Sequence, residues 1–183
     1  MFPWTHAAFG YLLFVALVGV WAALGRRGRT SRLELLAVVV ATQLPDIVDK
    51  PLAWWFGVLP SGRSLAHSLF LAVPLAFVVL AVAWYRGHPA VGLAFGVGYA
   101  SHLFGDVYVA LYYWRPEEFS FLLWPVLAPY PYDEAINLSG LVDEVAATPS
   151  LLVALAAAGV VGLGFLVHFL RAPWYPSIAL PAE

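Results

Sequence analysis

Residues 89–114 read PAVGLAFGVGYASHLFGDVYVALYYW, and they decide the class of fold. A bilayer core of about 30 Å takes roughly 20 apolar helical residues. This stretch exceeds that length, with His102 as its sole imidazole and Asp106 as its sole carboxylate. Working outward, four more runs share its character: about Ala7 to Leu24, about Leu33 to Ile47, Ala66 to Tyr85, and Leu151 to Leu170. The second is the least regular, because Gln43, Pro45, Asp46, Asp49 and Lys50 crowd its end. Phe119 to Leu127 (FSFLLWPVL) is too short to span, and Pro116, Pro125, Pro129 and Pro131 break any long helix around it. That segment is expected to lie at the interface or to dip in and return. The sequence therefore reads as an all-α polytopic membrane bundle of about five transmembrane helices. It is expected to be a single membrane-embedded domain over residues 1–183, with 115–148 as an external loop segment.

The whole chain agrees with this reading. Of 183 residues, 62% are hydrophobic and 11% charged, with a mean hydropathy of +0.83; an ordinary soluble domain carries about 25% charged residues. A formal net charge of -2 without a long basic run leaves no footprint for nucleic acid, which demands clustered Lys and Arg. The chain has no cysteine, so any metal must rest on His, Asp and Glu. The first span lacks a basic leader, and GRRGRTSR (25–32) follows it in place of a cleavage site, so it is expected to stay as an anchor. By the positive-inside rule Arg26, Arg27, Arg29 and Arg32 are cytoplasmic, followed by Arg86 and Arg171. Lys50, Arg63 and Arg115 then fall outside, beside Glu117, Glu118, Asp133, Glu134, Asp143 and Glu144. The expected location is the cell membrane, multi-pass, with the N-terminus outside and the C-terminus cytoplasmic.

Ionisable groups inside apolar spans cost about 2.5 to 3.5 kcal/mol each at the centre, so each needs a reason. Six stand out: His6, Asp46, Asp49, His67, His102 and Asp106. At about 1.5 Å per helical residue, Asp46 and His102 lie roughly 20 Å above the cytoplasmic ends of their helices, Asp49 and Asp106 roughly 24 to 26 Å, and His6 and His67 roughly 27 Å. All six thus fall in the outer third of the membrane. Asp46 and Asp49 are spaced i, i+3, and His102 and Asp106 i, i+4, so each pair shares a helix face. Imidazoles and carboxylates pooled from several helices suit Zn²⁺ first, with Mn²⁺ or Fe²⁺ as alternatives, as one or two ions. Taken singly, each has an ordinary reading as well: a hydrogen-bonded histidine, a buried ion pair, or a border turn in which Lys50 neutralises Asp49. His88 and His168 lie near the cytoplasmic ends of their spans and are expected to take no part.

Four blocks carry a resemblance. They are Thr5-His6-Ala7; Pro45-Asp46 with Asp49; Arg63 with His67-Ser68; and Ser101-His102-Leu103 with Asp106. Their order resembles the membrane-bound metal-dependent hydrolases, described in bacteria as LexA-regulated inner-membrane proteins. With Trp124-Pro125 the resemblance reaches from residue 6 to about 125. The family motif His-Arg-x-x-Thr-His-Ser would place His at 62 and Thr at 66, where this chain has Gly62 and Ala66. Its acidic block tends to read Asp-x-Asp-His, whereas here the second Asp comes one position later and Lys50 follows. The family's site is similar to those of zinc-dependent phospholipase C and P1-type nucleases, which implies phosphoester hydrolysis.

The leading expectation is a metal-dependent hydrolase acting on a lipid or other amphiphilic ester from within the bilayer. His6, Asp46, His67, His102 and Asp106 would be the ligands, Asp49 a ligand or general base, and Arg63 the anchor of an anionic phosphate. Two rivals belong to other classes: a small metal-ion or proton-coupled transporter, and a structural or regulatory membrane protein stapled by its metal.

Overall fold

The computed structural model describes residues 3–25, 29–131 and 148–175. The expected loop residues Arg26, Arg27, Asp133, Glu134, Asp143 and Glu144 lie outside those ranges. Among the described residues five α-helices follow in order: α1 (Pro3–Ala23), α2 (Arg32–Trp54), α3 (Leu69–Tyr85), α4 (Pro89–Tyr112) and α5 (Pro149–Arg171). A 3₁₀ helix, η1 (Pro116–Leu123), stands between α4 and α5. No strand occurs among the described residues.

The α4 helix is the centre of the bundle, contacting α1, α2, α3 and η1, and its pairing with α2 is the most extensive. Glycine makes that approach possible. A Cβ on Gly98 would stand 2.5 Å from the Val38 carbonyl oxygen, and one on Gly10 of α1 would stand 2.3 Å from Thr42 Cγ2. Small residues that let backbones meet are how helices pack where lipid removes the hydrophobic drive between them. The connection from α3 to α4 turns on Gly87, whose φ of 75° belongs to the left-handed region that closes many helices. Its N–H donates to the Trp84 carbonyl at 2.9 Å.

The buried positions of α2 are Glu34, Leu35, Val38, Ala41, Thr42, Pro45, Asp46 and Asp49. They form one stripe at three- and four-residue spacing that is apolar in its middle and acidic towards Asp49. Leu35 and Val38 pack with Tyr11, Phe14 and Ala94, while Ala41 packs with Ala72, Phe95, Tyr99 and Leu103. Outward, the bundle shows large apolar side chains such as Trp21, Phe77 and Val160, while His6, His67, His102 and Asp49 are fully buried. Apolar outside and polar inside inverts the pattern of a water-soluble domain.

The α2 helix starts from Ser31, whose Oγ accepts from the Glu34 N–H at 3.3 Å and donates to Glu34 Oε1 at 3.2 Å. The C-terminal carbonyls of α5 are capped by Arg32: Nε donates to the Phe169 and Ala172 oxygens, each at 2.9 Å, and Nη2 to Leu170 at 2.8 Å. That guanidinium also stacks 4.9 Å from the Trp174 ring centroid.

Two expectations need correction. The second run does not stop near Ile47, because α2 continues through Pro45 and Pro51 to Trp54. Proline has no N–H to donate, so Pro45 gives nothing to the Ala41 carbonyl four residues back; the next carbonyl, that of Thr42, accepts from His102 Nδ1 at 2.7 Å. The third run does not begin at Ala66, since Ser68 caps α3 by accepting from the Phe70 N–H at 3.2 Å. His67 therefore sits on a loop. As for the spans, α1 and α5 are, among the described residues, the two helices both long and apolar enough to cross a membrane. At 17 residues α3 is shorter, and α2 carries Arg32, Glu34, Asp46, Asp49 and Lys50. The proline-bounded segment behaves as expected of a piece too short to span: η1 packs on α3 and α4, and its Phe121 is fully buried.

Because the α2–α4 contact has no room for a Cβ, Gly98→Val is expected to cost about 1–3 kcal/mol by overpacking, read as a lowered melting temperature in detergent. Gly159→Ala, whose Cβ would meet nothing within 4 Å, should not lower it.

Candidate metal centre

The acidic end of the α2 stripe meets one histidine from each of three other parts of the chain. His6 comes from the first turn of α1, His67 from the loop before α3, and His102 from α4, one turn ahead of Asp106. The ring of His67 is aimed by Asp49. That carboxylate accepts from the backbone N–H groups of Ser64 (2.8 Å), Ala66 (2.8 Å) and His67 (3.2 Å), and from His67 Nδ1 at 2.8 Å. An ionised carboxylate only accepts, so Nδ1 carries the proton and Nε2 points onward with its lone pair. His102 is aimed in the same way, since its Nδ1 donates to the Thr42 carbonyl at 2.7 Å.

The two Nε2 atoms therefore face one another at 3.1 Å, lone pair to lone pair in the neutral tautomers. Asp106 Oδ2 lies 3.3 Å from His67 Nε2 and 3.4 Å from His102 Nε2. Asp46 Oδ1 lies 3.5 and 3.9 Å from the same two atoms. The His6 ring stacks on His102 with centroids 3.9 Å apart, and its Nε2 is 3.4 Å from Asp106 Oδ1. Neither nitrogen of this buried ring finds a hydrogen-bond partner among the described residues. Imidazole nitrogens and carboxylate oxygens crowded this closely call for positive charge between them, which a metal ion or a proton can supply. Ligands about 2.0 to 2.1 Å from a tetrahedral ion stand about 3.3 Å from each other, which is the spacing found here. His6, His102 and Asp106 form one triad able to hold a metal ion, and Asp46, His67 and His102 another, with ligand atoms within 4.8 Å in each.

Two part-exposed cations flank the cluster. Lys50 Nζ lies 2.6 Å from Asp46 Oδ2, and Arg63 Nη2 lies 3.0 Å from Asp106 Oδ1. Lys50 thus pairs with Asp46, one helical turn back, and not with the adjacent Asp49, because neighbours in sequence point apart on a helix. Phe121 of η1 closes the inner side, edge-on to His67 with centroids 6.0 Å apart.

A model of the YdjM inner membrane protein family matches residues 1–175. The chain belongs to the YdjM inner membrane protein family. No curated protein and no solved structure gave a significant match. Membership and the apolar helices place the protein in a membrane. All seven residues singled out from the sequence, His6, Asp46, Asp49, Arg63, His67, His102 and Asp106, touch one another in a single cluster. His88 and His168 do not join it: His88 stacks on Tyr175, and His168 Nδ1 is 3.1 Å from the Tyr11 hydroxyl. Sequence reasoning missed the Thr42 carbonyl and the Ser64 and Ala66 amides, since backbone groups leave no residue-type signature.

The purified protein is expected to retain a divalent metal ion through detergent exchange, and His67→Ala and His102→Ala should reduce it to background by elemental analysis. Asp49→Asn should weaken metal affinity about 10- to 100-fold, the usual effect of losing a partner that orients a ligand. His88→Ala and His168→Ala should leave the metal content unchanged.

Proposed function

We propose that this protein is a membrane-embedded, metal-dependent hydrolase of a phosphoester or similar lipid-like ester. The observation that carries the reading is the convergence of the His67 and His102 Nε2 lone pairs with oxygens of Asp46 and Asp106 at 3.1 to 3.9 Å. A divalent ion bound there, Zn²⁺ by donor chemistry, would act as a Lewis acid and lower the pKa of water in its shell.

The remaining work falls to the chain. His6, Asp46, His67, His102 and Asp106 hold the ion. Asp49 has a different part from the ligand or base expected of it: its oxygens are taken up by three backbone amides and a ring nitrogen, so it positions His67. The Thr42 carbonyl does the same for His102. Arg63, part exposed beside Asp106, gives an anionic phosphate a planar set of donors at the edge of the centre. Phe121 keeps the far side of His67 dry.

In this proposal five helices cross the bilayer, with the N-terminus outside and the C-terminus cytoplasmic. The charges of α2 gather near its two ends, Arg32 and Glu34 at one and Asp46, Asp49 and Lys50 at the other, which leaves an uncharged middle. The cluster then lies near the outer face, at a depth where an amphiphilic ester presents its polar bond. A transporter would need polar groups along the whole bundle, whereas the buried stripe of α2 between Leu35 and Ala41 packs against apolar neighbours.

The test is hydrolysis of short-chain phospholipids and chromogenic phosphoesters by the detergent-purified protein. Activity should disappear on chelation and return with Zn²⁺ or Mn²⁺. His102→Ala should lower it by about 100-fold or more, as expected when a metal ligand is lost. Metal-loaded protein that hydrolyses none of these esters would remove the enzymatic reading.

A further inference from the structure

We propose that the centre is built for a single ion, with Lys50 and Arg63 standing where a second would have to bind. The inference rests on the metal-centre reading above and concerns how many ions that centre accepts.

The two possible triads share one atom. His102 belongs to both, and its Nδ1 is committed to the Thr42 carbonyl at 2.7 Å, so Nε2 is its one ligating atom. A neutral imidazole nitrogen has one lone pair in the ring plane and coordinates one ion. The triads therefore cannot both be filled through His102 at the same time.

Paired-ion sites, with ions about 3.5 to 4 Å apart, commonly rely on a carboxylate that gives an oxygen to each ion. Asp46 and Asp106 each turn one oxygen toward the His67–His102 pair and the other toward a cation. Asp46 Oδ1 faces the histidines while Oδ2 holds the Lys50 ammonium at 2.6 Å. Asp106 Oδ2 faces the histidines while Oδ1 lies 3.0 Å from Arg63 and 3.4 Å from His6. The remaining acid, Asp49, is taken by amides and His67 Nδ1. Both bridging oxygens thus face a resident positive charge, which repels a second dication and balances the acids beside the first. Gly62 fits the same arrangement: a Cβ there would stand 3.3 Å from Lys50 Cγ and 3.2 Å from Trp54 Cζ2, so a side chain at 62 would crowd the lysine.

The experiment is metal stoichiometry on the full chain in detergent, titrated with Zn²⁺, gel-filtered and measured by elemental analysis, with Mn²⁺ loading and electron paramagnetic resonance in parallel. The wild type should saturate at one ion per chain and give the spectrum of an isolated Mn²⁺ ion. Lys50→Glu, which exchanges the blocking charge for a ligand, should take up a second Zn²⁺ ion. Two ions in the wild type, or an exchange-coupled Mn²⁺ spectrum, both abolished by His102→Ala, would overturn the inference and leave the metal-centre reading standing. Lys50→Glu held at one ion would overturn the part given to Lys50. No bound ion in the wild type would sink the metal centre itself. Should Lys50→Glu fail to fold, the wild-type ratio and spectrum still decide the ion count.

Discussion

One carboxylate holds the functional end of this protein together. Asp49, fully buried on α2, gathers the amides of Ser64, Ala66 and His67 and the Nδ1–H of the His67 ring. Those bonds tie the loop before α3 onto α2, and Ser68 starts the helix just beyond them. They also set the tautomer of His67. A buried carboxylate with this many donors is stabilised, and without them it would be a costly isolated charge. From that bond follows the orientation of His67 Nε2, and from it the meeting with His102, Asp46 and Asp106.

The polar cluster depends equally on how the helices approach. In a lipid setting backbone groups must be satisfied within the protein, and close helix contact is limited by side-chain bulk. Gly10 and Gly98 remove that bulk where α1 and α4 meet α2. The Thr42 carbonyl comes within reach of His102 at the same crossing. Packing and ligand orientation therefore share one set of small residues.

Charge is arranged in layers around the centre. Acceptors point inward from five residues, and on the carboxylates the outer oxygens rest against Lys50 and Arg63. Those two cations are part exposed, whereas His6, His67 and His102 are fully buried. Positive charge thus stands at the exposed rim of a cluster whose histidines are buried.

Much of this was legible in the residues themselves. Long apolar runs dictated helices, because a bilayer leaves a chain few other ways to satisfy its backbone, and ionisable groups too costly to bury without purpose marked His6, Asp46, Asp49, His67, His102 and Asp106. The i, i+4 spacing from Asp46 to Lys50 even contained the observed pairing, although adjacency drew attention to Asp49. Height counting placed the six at similar levels but missed the stacking of His6 on His102, since height along a helix does not say which way a ring faces. Tertiary structure alone decided which acid became a ligand candidate and which an orienting partner. That division depends on backbone amides and a carbonyl brought together from loop and helix, groups every residue possesses and no sequence pattern distinguishes.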